Sequence, residues 1–240
     1  MIDPARLERL VARRVAGEPL EHVLGWVAFA GRRWSVGPGV FVPRRRTELM
    51  VAAALSLPRR PGAVTVLDLC CGCGAVGGAV LLGLREDGRD VALHALDVDP
   101  AATGHARRNL EPLGGAVRTG DLFDPLPAKL RGRADVLLCN APYVPTDAIA
   151  TMPPEAREHE PAVALDGGGD GLDVVRRVVD AAPAWLAPGG SLLFEVGTGQ
   201  VARATALVGR AGLAPRVVTD ADPDADDATG GTVVVATLPR

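Results

Sequence analysis

From residue 63 onward, apolar runs of strand length alternate with segments of helical spacing. Seven runs are rich in aliphatic and β-branched residues and are bounded by Gly, Pro or Asp, which predicts seven strands. They are AVTVLDL (63–69), VALHALDV (91–98), AVRT (116–119) with its exit loop, ADVLLCN (134–140), GSLLFEVG (190–197), APRVVTD (214–220) and GTVVVATLP (231–239). Strands that alternate with helices indicate a doubly wound α/β sheet with helices on both faces.

The predicted helices of this part begin at typical helix starts. They are AVGGAVLLGL (75–84), a helix opened by Pro100 at its first position, GLDVVRRVVDAAPAWL (171–186) and VARATALVGRAGL (201–213). The last two strands can form an antiparallel pair, joined by the acidic stretch DADPDADDATGG (220–231). We interpret this stretch as a solvated loop, and metal binding is the alternative.

The first 60 residues follow another pattern. Apolar residues at helical spacing, Leu7, Leu10, Val11 and Val15, predict one short helix that ends near Gly17. The segment PLEHVLG forms a second one, and VAFAGRRWSV (27–36) alternates around a Gly as in a β-hairpin. Thr47 is predicted to cap a helix through ELMVAAALSL that Pro58 ends. We therefore divide the chain into an extension (1–60) and a main domain (61–240).

Composition and charge narrow the possible functions. The 240 residues carry a formal net charge of −3, so no global basic field favours binding to a long nucleic acid. No apolar run is long enough to span a bilayer and the N-terminus does not resemble a signal peptide, so we expect a soluble, cytoplasmic protein, monomeric by default. Cys70, Cys71, Cys73 and Cys139 have the wrong spacing for a zinc site, so we expect no metal.

Polar residues end several predicted strands. They are Asp68, Asp97, Asp121, Asn140 and Glu195. In open α/β sheets, ligands bind at the carboxyl ends of the strands, near the point where the strand order reverses. The sequence therefore predicts that the chemistry lies among these side chains.

The turn after the first strand, D-L-C-C-G-C-G-A, is typical of a cofactor site. Gly72 and Gly74 allow a ligand to approach the backbone closely. Asp97 follows the turn at the sequence separation that is typical of a carboxylate that binds both hydroxyls of a ribose. The spacing Gly72-x-Gly74-x-x-Gly77 also fits a dinucleotide. Asp68 would repel a pyrophosphate but suits the amino group of S-adenosylmethionine (AdoMet).

Further motifs lie in the order in which one known family has them. They are LDLCCGCGA, LDVDP, GDLFDPLP, NAPY, EPAVALDGGGDGLDVVRRVV and LLFEVGTGQ, preceded by GEPLEHVLGWVAFAGRRWSVGPGVFVPRRRTELMV. Over residues 15–205 the chain resembles the HemK-like protein-(glutamine-N5) methyltransferases. The resemblance implies a seven-stranded, Rossmann-like class I methyltransferase sheet with a short N-terminal helical and hairpin extension. It also implies AdoMet as cofactor and a protein substrate, such as a release factor or a ribosomal protein.

The resemblance also implies roles for individual residues. The residues it places around AdoMet are Asp68, Cys70, Gly72, Gly74, Asp97, Val98, Asp121, Leu122 and Asn140. Asp97 would bind the ribose hydroxyls, and Asp121 and Leu122 would lie against the adenine. The residues it places at the target glutamine are Phe41, Arg44, Asn140, Ala141, Pro142 and Tyr143, with Asn140, Pro142 and Tyr143 as the catalytic set.

Three features depart from the pattern of the family. Its N-P-P-Y is N-A-P-Y here, its first turn glycine is Cys70, and only about 25 residues precede the predicted hairpin. A related group with a small residue in place of the first Pro, and with no assigned substrate, resembles this chain more closely than the release-factor enzymes do.

The N-A-P-Y segment has the groups that methylation of an amide needs. An amide nitrogen is a poor nucleophile because its lone pair is delocalised into the carbonyl. The side-chain oxygen of Asn140 and the carbonyl of Ala141 could accept both N–H hydrogens, Tyr143 could stack on the amide, and Pro142 keeps Ala141 extended. An exocyclic base amine is also planar with two N–H donors, so it stays open as a target, as do a small-molecule amide or amine and a non-catalytic role.

Overall fold

A seven-stranded mixed sheet organises the chain, which we describe from a computed structural model over residues 3–58, 61–220 and 230–240. The strands are β1 (Trp26–Phe29), β2 (Arg32–Ser35), β3 (Val64–Leu69), β4 (Val91–Asp97), β5 (Ala116–Thr119), β6 (Ala134–Cys139), β7 (Leu186–Glu195), β8 (Ala214–Thr219) and β9 (Thr232–Thr237). The sheet has the order β5-β4-β3-β6-β7-β9-β8, and β1 and β2 form a separate hairpin. The predicted seven strands and hairpin are confirmed.

The order of strands places the predicted site residues at the carboxyl ends of the central strands. β3, β4, β5, β6 and β7 are parallel, and β9 is antiparallel to both β7 and β8. The order reverses between β3 and β6, where Leu69 pairs with Cys139. Asp68 and Asn140 therefore lie at the ends of neighbouring strands at the switch point, where doubly wound sheets bind ligands.

The described part of the chain contains eight α-helices. They are α1 (Pro4–Val15), α2 (Leu20–Leu24), α3 (Glu48–Leu55), α4 (Ala75–Glu86), α5 (Pro100–Leu110), α6 (Pro154–His159), α7 (Asp173–Ala181) and α8 (Val201–Arg210). α7 is shorter than the predicted 171–186, because Pro183 follows in a 3₁₀ turn and β7 begins at Leu186. α6 was not predicted. No described helix has both the length and the hydrophobicity to cross a bilayer.

The N-terminal hairpin packs on the main sheet and not beside it. Phe29 and Trp34 are buried in the same core as Val66 of β3 and Val80 of α4. Gly78 leaves room for the Trp34 ring, since a Cβ there would overlap it. This packing carries the segment that follows the hairpin over the carboxyl ends of the strands. α1 forms as predicted, but none of its residues is buried.

One predicted helix cap is wrong. The Thr47 side chain makes no capping bond to α3. Its hydroxyl donates instead to the Glu195 carboxylate, at 2.7 Å. Thr47 has helical backbone angles (φ −70°, ψ −12°), unlike a typical N-cap residue, and its hydroxyl forms a charge-assisted hydrogen bond with the buried carboxylate. The acidic connection after Asp220 lies largely outside the described residues, so our interpretation of it stays a prediction.

Candidate active site

A cavity of about 410 Å³ lies at the carboxyl ends of the central strands. Thirteen of the residues that the sequence singled out line it, and they come from both sides of the switch point. They are Phe41, Arg44, Asp68, Cys70, Gly72, Asp97, Val98, Asp121, Leu122, Asn140, Ala141, Pro142 and Tyr143. The structure thus brings the predicted cofactor residues and target residues together around one space. Gly74 is not among the lining residues.

The Gly-rich turn after β3 has three residues in the left-handed region. Cys70 has φ 53°, Gly72 φ 54° and Gly74 φ 80°. Gly74 precedes α4 and packs against α5, because a Cβ there would lie 2.7 Å from Leu110. Its role is therefore to let the helix approach its neighbour. Cys70 holds a conformation that favours glycine, at a cost of about 1 kcal/mol.

Asp68 is a buried carboxyl at the bottom of the cavity. It is 1% exposed, and its Oδ2 accepts the Gly77 N–H at 3.0 Å. Burial raises the pKa of Asp68 to about 7, with the nearby Asp97 acting in the same direction and the Gly77 hydrogen bond opposing it. Such a group gains stability from a cation placed beside it. An ammonium group of a ligand meets this need.

The Asp97 carboxylate at the end of β4 accepts hydrogen bonds from two backbone N–H groups. Its Oδ2 accepts the Gly72 N–H at 2.8 Å and its Oδ1 accepts the Asp99 N–H at 2.9 Å. Burial raises its pKa, and these backbone bonds oppose the shift. Each carboxylate oxygen can accept more than one hydrogen bond. Asp97 can therefore hold the Gly-rich turn and still receive two hydroxyl groups from the cavity.

Asp121 is paired with a cation that the sequence did not reveal. Arg177 of α7 donates to its Oδ2 at 2.6 Å, and both side chains are about half exposed. Leu122 follows with φ 44°, an unusual conformation for a branched side chain. Arg177 also lines the cavity. Nothing in the spacing of the motifs connects Arg177 with Asp121, 56 residues earlier.

Arg44, predicted to bind the target, is engaged within the protein. Its guanidinium donates to both oxygens of Glu160 at 2.7 Å and lies over the Phe41 ring at 5.2 Å from the centroid. Glu160 also accepts the Val42 N–H at 3.1 Å. These bonds fix the Phe41 side of the cavity wall to the segment between β6 and α7.

The N-A-P-Y segment presents an acceptor without a donor. The Asn140 Oδ1 is buried and has no hydrogen-bond partner among the described residues. The next residues are held by the protein: Ala141 is buried, and Gln200 donates to the Tyr143 carbonyl at 2.9 Å. A buried acceptor without a partner costs about 1–3 kcal/mol. Its position in the cavity indicates that a ligand supplies the donor.

The cysteines near the cavity are free thiols, and three of the four are buried. Within the described ranges, no group of three or more His, Cys, Asp or Glu side chains could hold a metal ion. Burial raises the pKa of Cys73 to about 12. The Cys70 thiol pKa is raised first by its hydrogen bond with Cys139 and then by burial. Thiols with raised pKa values are neutral near pH 7 and are poor nucleophiles.

Gly171 gives a prediction about how this segment is held. It has φ 76°, and a Cβ there would overlap both the Tyr143 carbonyl and the Gln200 amide. We expect Gly171→Ala to lower the free energy of unfolding by about 2–4 kcal/mol. Chemical denaturation measures this. Gly169→Ala is the matched control, because its Cβ would meet nothing within 4 Å. Equal stability of the two variants would contradict this account.

Comparison with known proteins agrees with this geometry. A family model described as the methyltransferase small domain matches residues 38–159. The release factor glutamine methyltransferase of Geobacter sulfurreducens is 40% identical over 93% of this chain and 76% of its own length. The 4-amino-L-phenylalanine/4-methylamino-L-phenylalanine methyltransferase of Streptomyces pristinaespiralis is 37% identical over 85% of this chain and 70% of its own length.

The fold is shared with solved structures as well. A methyltransferase from Pyrococcus furiosus superposes with a TM-score of 0.58 at 16% identity, covering 99% of this chain and 100% of the other. At this identity the likeness concerns the fold alone. The relatives of 40% identity show the family as well as the fold, since the match extends over most of both chains. The chain belongs to the HemK-like family of glutamine methyltransferases and is a class I, AdoMet-dependent methyltransferase.

Proposed function

We propose that the chain transfers the methyl group of AdoMet to the side-chain amide nitrogen of a glutamine in a protein. The observation that carries the proposal is the buried Asn140 Oδ1, which lacks a donor among the described residues and lies beside the cofactor end of the cavity. A primary amide offers two N–H donors in one plane. One of them would satisfy Asn140, and the other would reach the Ala141 carbonyl.

These contacts explain how the protein would assist the reaction. With both N–H hydrogens held, the plane of the amide is fixed, so the nitrogen lone pair, which lies perpendicular to that plane, points at the reacting carbon. AdoMet, when bound, supplies an electrophilic methyl group. The contribution of this chain is orientation, which can supply roughly 7–11 kcal/mol. No strong base is needed, because the methylated nitrogen is acidic and loses its proton readily.

For the cofactor end, we propose that Asp68 holds the amino group of AdoMet and that Asp97 holds the ribose hydroxyls. A buried carboxyl with a raised pKa and a second carboxylate fixed by backbone N–H groups support these roles. Val98 and Leu122 would contact the ribose and the adenine from the cavity wall. Gly72 lines the cavity without a side chain, so it leaves space there for the cofactor.

The pH dependence of AdoMet binding tests the role of Asp68. Below pH 7 the free carboxyl holds a proton, which must leave before the carboxylate can pair with an ammonium group. We expect the affinity for AdoMet to fall by up to about tenfold for each pH unit below 7. Titration calorimetry from pH 8 to 5.5 measures it. Asp68→Asn should bind more weakly at every pH with a flatter profile, and a flat wild-type profile would contradict the assignment.

The substrate class can be decided directly. The protein is incubated with radiolabelled AdoMet and a bacterial cell extract, and the products are separated into protein, RNA and small molecules. We expect label in protein, and N5-methylglutamine after hydrolysis by mass spectrometry. Purified release factor and ribosomal protein are then tested singly. Label in RNA alone would refute the proposal.

A second candidate is methylation of a small-molecule amine. It is favoured by the Streptomyces relative, whose name gives an aryl amine as its substrate. An aryl amine is also planar with two N–H donors, so it could meet the same Asn140 acceptor. Label in the small-molecule fraction of the same experiment would select this candidate. The cytoplasmic location, the monomeric state and the domain boundary at residue 60 stay predictions.

A further inference from the structure

The Tyr143 hydroxyl is fully engaged inside the protein. It donates to Glu195 Oε1 at 2.7 Å and accepts from Arg46 Nη2 at 2.7 Å. Tyr143 lines the cavity, whereas Glu195 does not. Arg46 lines the cavity as well, so the hydroxyl is held between the cavity wall and the buried Glu195, and the part of Tyr143 left to meet the target is its ring.

Glu195 is the centre of this network. It ends β7, is 2% exposed, and also accepts from Arg46 Nε at 3.0 Å and Thr47 Oγ1 at 2.7 Å. The partners come from the turn before α3 and from the N-A-P-Y segment, which are distant in sequence. A buried polar network whose members are all satisfied is rigid. The orientation of the Tyr143 ring therefore depends on a carboxylate that does not touch the cavity.

We propose that Glu195 is a positioning residue for methyl transfer: it holds the Tyr143 hydroxyl and so fixes the angle at which the ring meets the planar target group. The inference rests on the proposed function only in taking that target to be planar. Glu195 does not act as the base, since its oxygens are occupied by three donor groups and lie outside the cavity.

The chain provides a direct probe of this role, because Tyr143 is its only tyrosine. Tyrosine labelled with ¹³C in the ring gives the signals of this one residue. We expect Glu195→Gln to shift them and to lower the pKa of the phenol, which burial raises first and the Glu195 carboxylate second. Ser191→Ala is the matched control, because it removes another side-chain hydrogen bond of β7, the partly buried one to Thr237. The Tyr143 signals should not shift in the Ser191→Ala variant. If they did not shift in the Glu195→Gln variant either, the inference would be overturned.

A double-mutant cycle then measures the effect on the reaction. On the substrate found in the extract experiment, Glu195→Gln should lower kcat by about tenfold to a hundredfold and leave AdoMet affinity within twofold. In the Tyr143→Phe background, the same change should cost little more, because the hydroxyl through which it acts is gone. An equal loss in both backgrounds would overturn the inference and show that Glu195 acts by another route.

The two proposals fail separately. If no methylated product forms with any fraction, the proposed function is wrong, and the tyrosine signals still decide whether Glu195 orients Tyr143. Thermal unfolding of each variant is measured alongside. A Glu195→Gln variant that loses no more stability than Ser191→Ala but far more kcat supports positioning, and a kcat loss that merely follows the stability loss refutes it.

Discussion

Replacing Asn140 with Ala should reduce the rate of methyl transfer by at least about 100-fold. The change removes the buried acceptor that would hold one N–H of the target, so the nitrogen lone pair would no longer be aimed at the methyl group. The resemblance places Asn140 next to AdoMet, but the oxygen removed would bind the target and not the cofactor, so AdoMet affinity should stay within a few-fold. Single-turnover kinetics and calorimetry measure the two quantities separately.

The same variant should not be less stable than the wild type. The Asn140 Oδ1 has no partner among the described residues, so it contributes a desolvation cost and no hydrogen bond. We expect Asn140→Ala to unfold at the same or a higher temperature in the absence of ligand. Functional sites commonly carry such a conflict between activity and stability.

Asn140→Asp is the informative second variant. It keeps an acceptor oxygen at the same place and should retain more activity than Asn140→Ala. If Asn140→Ala lost cofactor affinity and transfer to the same extent, Asn140 would hold the fold and not the target. If Asn140→Asp were as inactive as Asn140→Ala, an acceptor alone would not explain its role.

The parts of the site that follow from strand order could be predicted from the sequence. The alternation of strands and helices fixes which carboxyl ends meet, because crossover connections have one hand. Asp68, Asp97 and Asn140 therefore lie around one cavity even though up to 72 positions separate them. Local patterns are enough to predict this arrangement, since each of these residues lies at the end of a strand that a hydrophobic run in the sequence predicts.

The supporting side chains could not be predicted in this way. Glu160 lies 116 positions after its partner Arg44, and Glu195 lies 148 positions after Thr47. Thr47 precedes a helix, so local chemistry indicated a cap, but the buried Glu195 carboxylate binds the hydroxyl. Such pairs depend on how the hairpin and the segment after β6 pack on the sheet. The hydrophobic periodicity of the sequence predicts single helices and strands, but it does not predict this packing.

Cys70 shows a further difference between pattern and structure. The sequence marks it only as a departure from glycine. The structure gives φ 53° at this position, so the backbone still has the conformation for which glycine is suited. The turn keeps its shape because Asp97 binds Gly72 and the Cys71 N–H donates to the Leu96 carbonyl at 2.9 Å. The surrounding bonds thus enforce a conformation that the residue itself disfavours.

Replacing Asp97 with Ala should weaken AdoMet binding by at least about tenfold, and by more than a hundredfold if both ribose hydroxyls are bound. A hydrogen bond to a charged group contributes about 1.5–3 kcal/mol, and the variant would lose two of them. It would also release the Gly72 and Asp99 N–H groups that Asp97 now holds. The loss should therefore exceed that expected from the ribose alone. Titration calorimetry with AdoMet measures it.

Two further variants separate the ribose contacts from the turn. Asp97→Asn keeps one acceptor oxygen, so it should bind AdoMet more tightly than Asp97→Ala but less tightly than the wild type. Asp135→Asn is the control, because Asp135 also accepts a backbone N–H, that of Thr65 at 2.9 Å, and lies outside the cavity. It can lower stability but should leave affinity unchanged. If Asp97→Ala bound AdoMet as tightly as Asp135→Asn, Asp97 would serve the turn alone and the ribose site would lie elsewhere.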